Sequence, residues 1–306
     1  PMPVTKLVRV VITVADLDQA AGFFRDGLGL DVGPAQRFSD APWNALLGLD
    51  PRTLMRTADI GFRGEVLKLA AFDPPGAPYP ETRASNDPWF EHVALVAGDI
   101  QAVWSHLERA GPETVTAGGP VLLPPNTGNV TAFKFRDSEG HPLELIAFPQ
   151  GVGDPRWQQG GAGIRGFDHT AITVSDLERS LAFFTGLLGM RVGGRSLNQG
   201  PEQDRLDGLS GCLVNVVALQ PLSQLTPHVE LLHYRSPPSR ASVMPPHAND
   251  VASVRQVHKV DDLPKLVRRL QSDGAVLVSD GLVSLADGGN GATVRDPDGH
   301  MIVLLD

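Results

Sequence analysis

Four short, largely apolar strands each place a residue of a kind that binds cations on one face. EHVALVA holds His92, LELIAF holds Glu144, FDHTAIT holds His169 and VELLHY holds Glu230. Alternate residues of a strand point to opposite faces. Val93, Leu95 and Ala97 therefore share a face that excludes His92, and Leu143 and Leu145 share one that excludes Glu144. Thr170, Ile172 and Val174 likewise leave His169 opposite, and Val229 and Leu231 leave Glu230 opposite. A carboxylate on such a strand is costly to bury unless it is paired or bound to a cation. Imidazole nitrogen with carboxylate oxygen suits a divalent first-row metal, and two carboxylates would neutralise one such ion.

The elements that position these residues repeat. Phe167 to Gly193 restates Leu7 to Gly33, with Asp176 matching Asp16, Phe183 and Phe184 matching Phe23 and Phe24, and Gly189 matching Gly29. At finer grain the chain divides into quarters, each opening with a β-branched strand, then an Asp, then a helix. Asp16, Asp99, Asp176 and Asp262 stand where a carboxylate accepts from the free N–H groups of a first helical turn. Apolar stripes at three-and-four spacing follow, such as Leu17, Ala21, Phe24 and Leu28, and Gly29, Gly111, Gly189 and Gly274 stop the helices. Further strands close each quarter, so the repeating unit is βαβββ.

The units span approximately residues 5–75, 88–150, 166–236 and 251–306, here called the first to fourth. They form halves at 1–150 and 166–306, joined by a linker at 151–165 within the Gly- and Pro-rich run from Pro149 to Gly166. The fold class is α+β. At the positions of the four polar residues the outer units carry Arg9 and Lys68 in the first, and Arg255 and Val303 in the fourth.

The totals agree with two domains: 306 residues is about twice the usual single-core size. A net charge of −9 argues against a nucleic-acid partner, whose affinity would rest on clustered Lys and Arg. No apolar run is long enough to span a bilayer and no secretory signal is visible, so no membrane partner and a cytoplasmic location are expected. Pro1 ahead of Met2 looks like a cloning remnant. The lone Cys212 reads as a buried, inert thiol. His141 and His300 fall in Asp-Gly-type turns and read as hairpin residues, and His258 falls on the helix-facing parity of its strand. Arg195, Asn198, Gln203 and Arg205, in the expected loop after the third helix, are candidates to hold a polar or anionic substrate. His228 and Tyr234 share the parity of Glu230 and are candidates to line the same space.

With its strand-Asp-Leu-helix openings and its Arg-Asp-x-x-Gly-His turns at Arg136 and Arg295, the chain resembles the vicinal oxygen chelate superfamily. That superfamily includes glyoxalase I, methylmalonyl-CoA epimerase, fosfomycin- and bleomycin-resistance proteins and extradiol dioxygenases. The resemblance implies curved mixed sheets in which two units close into a cup around one metal. It implies His92 and Glu144 as the second unit's ligands, and His169 and Glu230 as the third's. Pairing in chain order would split this set between two cups. Pairing second with third and first with fourth would unite it in one cup and leave the other basic and metal-free, which is the arrangement expected.

A His2Glu2 set leaves two positions for vicinal oxygens of a small-molecule substrate. The cofactor implied is one divalent ion, Ni, Co, Zn, Mn or Fe, acting as a Lewis acid while Glu144 or Glu230 serves as base. The expected activity is that of a glyoxalase I-like lyase or isomerase, in a monomer or homodimer. The alternatives are an Fe(II) extradiol-type dioxygenase and a non-catalytic cup that binds a drug or metabolite. Arg9, Lys68 and Arg255 are either an anion site in the basic cup or a salt-bridged patch.

Overall fold

The four expected caps form. In the computed structural model, which describes residues 4–62, 64–239 and 244–306, Asp16 accepts from the N–H groups of Asp18 and Gln19, and Asp99 from Ala102. Asp176 accepts from Arg179, and Asp262 from Lys265. The helices run Leu17–Gly22, Ile100–Leu107, Leu177–Leu181 and Leu263–Ser272. Gly29, Gly111, Gly189 and Gly274 follow with φ of 68°, 65°, 69° and 71°, the left-handed region open to glycine. Pro1 and Met2 lie outside the described residues. In the first and third units the helix continues as π-helix, at Phe23–Gly27 and Ala182–Leu187, where a regular 3.6-residue stripe had been expected. There the paired rings Phe23/Phe24 and Phe183/Phe184 meet edge to face.

Each large sheet draws on both halves of the chain. In the outer-unit sheet the opening strand Val4–Thr13 pairs antiparallel with Val254–Val260. Its flanks are Val66–Asp73, Leu54–Gly61 and Gln36–Phe38 on one side and Met301–Leu305, Asn290–Arg295 and Val283–Ser284 on the other. The middle-unit sheet repeats the plan. Ile164–Thr173 pairs antiparallel with Glu91–Ala97, flanked by His228–Ser236, Leu213–Gln220 and Arg191–Gln199 and, opposite, by Pro142–Ala147, Thr131–Arg136 and Glu113–Thr114. Second therefore pairs with third and first with fourth, as the ligand set required.

The helix-facing residues of both sheets join the helices in one continuous core that includes Val93, Leu95, Leu143, Leu145, Ile172, Val229 and Leu231. The opposite faces line the two cups. The Gly- and Pro-rich connection carries a short 3-10 helix, Pro155–Gln158, whose Trp157 is buried against the middle-unit sheet.

Candidate functional site

The strand registers bring all four polar residues to one place. Ala171 lies opposite His92 and His169 opposite Ala94 across the central antiparallel pair. Glu230 is beside Ala171, and Glu144 is beside Ala94, on the parallel flanking strands. His92 Nε2 stands 2.8 Å from Glu144 Oε2, and His169 Nε2 stands 3.7 Å from the same oxygen. His169 Nε2 is also 3.5 Å from Glu230 Oε2 and 3.5 Å from His92 Nε2. Donor atoms of His92, Glu144 and His169 all fall within 4.8 Å of one another, the spacing a single metal ion needs. Glu230 joins through His169 and is the more open acid, its side chain 21% exposed against 7% for Glu144.

A bulge sets the orientation of His169. Phe167 faces Leu95 and His169 faces Ala94, so Asp168 is an extra residue in its strand. Strict alternation would send Asp168 to the helix side. Instead its Oδ2 meets His169 Nδ1 at 2.9 Å and its Oδ1 accepts from Trp157 Nε1 at 2.6 Å. With Nδ1 so engaged, Nε2 of His169 is the nitrogen turned to the acids. A carboxylate behind a histidine in this way fixes the ring and raises its basicity as a ligand.

Lys134 is a second residue that sequence reading missed. It sits directly across the hairpin from Glu144, buried, with Nζ 2.6 Å from Asp207 Oδ1. The hairpin register, counted back from the Arg136 turn, would have revealed it.

Charges within the cup are strongly coupled. Burial alone would raise Glu144, but the positive field of His92 and hydrogen bonds from His169 and His92 hold it well below the usual carboxylate range. Burial would lower His169, but Glu230, Asp168 and Glu144 together lift it well above the ordinary imidazole value. His92 goes down, because burial outweighs its attraction to Glu144. Burial opposes Lys134, yet Asp207 and Glu144 raise it, so it remains an ammonium.

A prediction follows for metal uptake. With its pKa raised above the ordinary value of about 6.5, His169 holds a proton near neutrality in the metal-free protein, and a ligating imidazole must give that proton up. Binding should release about one proton, and affinity should climb with pH until His169 is neutral. Calorimetric titration of the metal-free protein with Zn2+ at pH 6.5, in two buffers of different ionisation enthalpy, gives the proton count directly. A count near zero would contradict this assignment.

The space above the four residues is a cavity of about 440 Å³. Arg195, Asn198, Gln203, His228 and Tyr234 all line it. They do so from ordered elements where a loop had been expected: Arg195 and Asn198 from the strand Arg191–Gln199, Gln203 from the helix Pro201–Asp207. Arg205 is the exception. On the same helix it turns away from the cavity and its Nε and Nη2 donate to the carbonyl of Ala117 at 3.3 and 3.2 Å. A helix presents only one face to the cavity, and Gln203 and Leu206 take it.

His228 Nε2 lies 3.4 Å from Glu230 Oε1, so it braces the acid as well as lining the wall. The Tyr234 hydroxyl is buried, and burial together with nearby Asp207 pushes it well above the usual phenol range.

The turn histidines are structural, as read from their spacing. His141 Nδ1 pairs with Asp137 at 2.7 Å, and its Nε2 reaches the carbonyls of Thr13 and Val251, both at 2.8 Å. His300 Nε2 reaches the Thr173 carbonyl at 2.9 Å. Cys212 is buried, which pushes its thiol up to about 12, and it is inert at neutral pH. No helix among the described residues is long and apolar enough to cross a membrane.

Lactoylglutathione lyase GLX1 of Arabidopsis thaliana is 23% identical over 307 residues, covering 98% of this chain and 91% of that protein. The crystal structure of glyoxalase I from Zea mays superposes with a TM-score of 0.64 at 16% identity, covering 98% of this chain and 92% of that one, a likeness of fold. The family model described as Glyoxalase/Bleomycin resistance protein/Dioxygenase superfamily matches residues 6–145 and again 166–304. Two matches that together take in nearly the whole chain, each with the βαβββ plan seen in the sheets, place this protein in the Glyoxalase/Bleomycin resistance protein/Dioxygenase superfamily.

Proposed function

We propose that the protein is a metal-dependent lyase or isomerase of glyoxalase I type. The observation that carries this reading is the convergence of two imidazoles and two carboxylates from two units at the floor of one cavity. The full-length likeness to a lactoylglutathione lyase supports it. The donor set fits a divalent ion: His92 and His169 present Nε2, Glu144 and Glu230 present carboxylate oxygens, and the two negative charges balance the cation. A metal bound there acts as a Lewis acid toward the oxygens of a chelated substrate. Its identity among Ni, Co, Zn, Mn and Fe is open to elemental analysis.

The residues divide the remaining work. Glu144, held by two imidazoles and faced by Lys134, stays anionic and serves as a fixed ligand. Glu230 is the base: it is less tightly held, opens to the cavity and is kept anionic by His169 and His228 against the effect of burial. Its carboxylate takes the proton from the hydroxyl-bearing carbon beside the substrate carbonyl and returns it to the former carbonyl carbon, while the hydroxyl proton passes to the former carbonyl oxygen, so the net reaction is an isomerisation with no outside oxidant. His228, at 3.4 Å, steadies the carboxylate between the two transfers. Arg195, Asn198 and Gln203 on the opposite wall hold the polar part of the substrate.

Named in the language of the Arabidopsis relative, the substrate is the adduct that isomerises to lactoylglutathione. The test is to supply methylglyoxal with glutathione, or with other thiols, and follow thioester absorbance in the ultraviolet. Metal-dependent thioester formation is expected, lost on chelation and restored by one equivalent of metal. Oxygen consumption with a catechol and Fe(II), without thioester formation from any thiol, would overturn the reading in favour of ring cleavage.

A further inference from the structure

The outer-unit cup has the same geometry as the candidate metal site and the opposite charge. Its registers match position by position: Val11 faces Arg255 and Arg9 faces Val257, with Lys68 beside Val11 and Val303 beside Val257. Arg255 thus takes the place of His92, Arg9 that of His169, Lys68 that of Glu230 and Val303 that of Glu144. These residues line a cavity of about 210 Å³ closed by Phe38, Trp43 and Met55.

Asp59 acts on two of the three cations there, Lys68 and Arg9, and among the described residues Arg255 alone of the three has no acid partner. Lys68 is paired with Asp59 at 2.7 Å. Asp40, on the cavity wall, is engaged as a helix cap and accepts from the Trp43 N–H at 3.0 Å. Arg255 is 2% exposed, packed among Val11, Met55, Phe72, Val257 and Val303, and forms no ion pair with a described residue. Its Nη1 donates to Thr13 Oγ1, the Ala248 carbonyl and Ser253 Oγ, which fixes the plane of the guanidinium. Its Nε and Nη2 make no hydrogen bond to a described residue, and that edge is the fork that matches a carboxylate. Arg9 Nε is likewise buried without a partner. Burial pushes Arg255 down to about 9, with no acid acting against it. Leaving a charge buried and unpaired is expensive, and an anion between the two guanidiniums would remove that cost.

We propose that this second cup binds a small organic monocarboxylate, its carboxylate held by Arg255 and Arg9 and its apolar body lodged against Phe38, Trp43, Met55 and Val303. The walls favour an aromatic or branched body over an inorganic oxyanion, because most of the lining residues are apolar.

The test uses the metal-loaded full chain titrated with benzoate, benzyl alcohol or inorganic phosphate, followed by calorimetry and by Trp43 fluorescence, with Trp43→Phe identifying the responding tryptophan. Benzoate should saturate at one site, and benzyl alcohol and phosphate should bind at least tenfold more weakly. Arg255→Met and Arg9→Met should each weaken benzoate at least tenfold while metal content stays at one ion per chain. Chain carrying His169→Ala should bind benzoate as the parent does, which separates this cup from carboxylate chelation at the metal. If Arg255→Met does not fold, Arg9→Met, at a less buried position, decides alone. Benzoate affinity unchanged in the folded arginine variants, equal binding of benzyl alcohol, tighter binding of phosphate, or no saturable binding of benzoate would each overturn the proposal.

Discussion

His169→Ala is expected to leave a folded chain that no longer retains metal, while Arg9→Ala, the same position in the other cup, keeps one ion per chain. His169 is the hub of the candidate site. Its Nε2 is within 3.7 Å of both acids and within 3.5 Å of the other imidazole, and Asp168 fixes its ring from behind. Removing it deletes one donor and leaves Glu144, Glu230 and Asp168 without the positive charge that now keeps the last two below the usual range. Those acids then lose a partner that favours their charged form, which weakens Glu144 and Glu230 as ligands too. Loss of an outer partner alone costs about 10–100-fold in metal affinity, so loss of the donor itself should exceed about 100-fold. Elemental analysis after dialysis against a weak chelator reads the outcome, with circular dichroism to confirm folding. Equal metal loss in both variants would refute the division into one metal cup and one basic cup.

Much of this was legible because the signals are local and repeated. An Asp before an apolar stripe and a Gly after it specify a helix within a few residues, and four copies reinforce one another. Strand parity located His92, Glu144, His169 and Glu230 because each falls on the face opposite an apolar stripe that packs on the helix. Pairing second with third came from the family resemblance, which implies two units closing around one metal, together with the ligand set that only this arrangement unites. What parity could not give is any departure from parity. Asp168 was missed because a bulge opposite Leu95 and Ala94 shifts it to the cup face, and a bulge is set by pairing with a distant strand. Lys134 was missed because its meaning depends on the hairpin register that sets it across from Glu144. Arg205 was misplaced because a short helix formed where a loop was expected, turning it toward Ala117. Each of these three errors concerns a long-range contact.

Glu230→Gln should lower kcat by about 10²–10⁴-fold, or about 3–5 kcal/mol of barrier, with a far smaller change in KM. Glutamine keeps the shape and one oxygen acceptor of the side chain but cannot take a proton, so the loss falls on proton transfer. Because His92, Glu144 and His169 form the compact part of the set, the variant should still bind metal. Glu144→Gln should behave differently, since its Oε2 is shared by both imidazoles at 2.8 and 3.7 Å and removing its charge loosens the ion itself. The pH profile offers an independent check. His169 and His228 oppose burial and hold Glu230 below the ordinary carboxylate range, so the base is already ionised at mildly acid pH. In the metal-loaded parent, where His169 has given up its proton, the bound cation would favour the same ionised carboxylate, so activity should fall on acidification and raising pH above neutrality should bring no further gain from this group. If Glu230→Gln retained full turnover with metal bound while Glu144→Gln, reconstituted at saturating metal, lost it, the two glutamates would exchange roles.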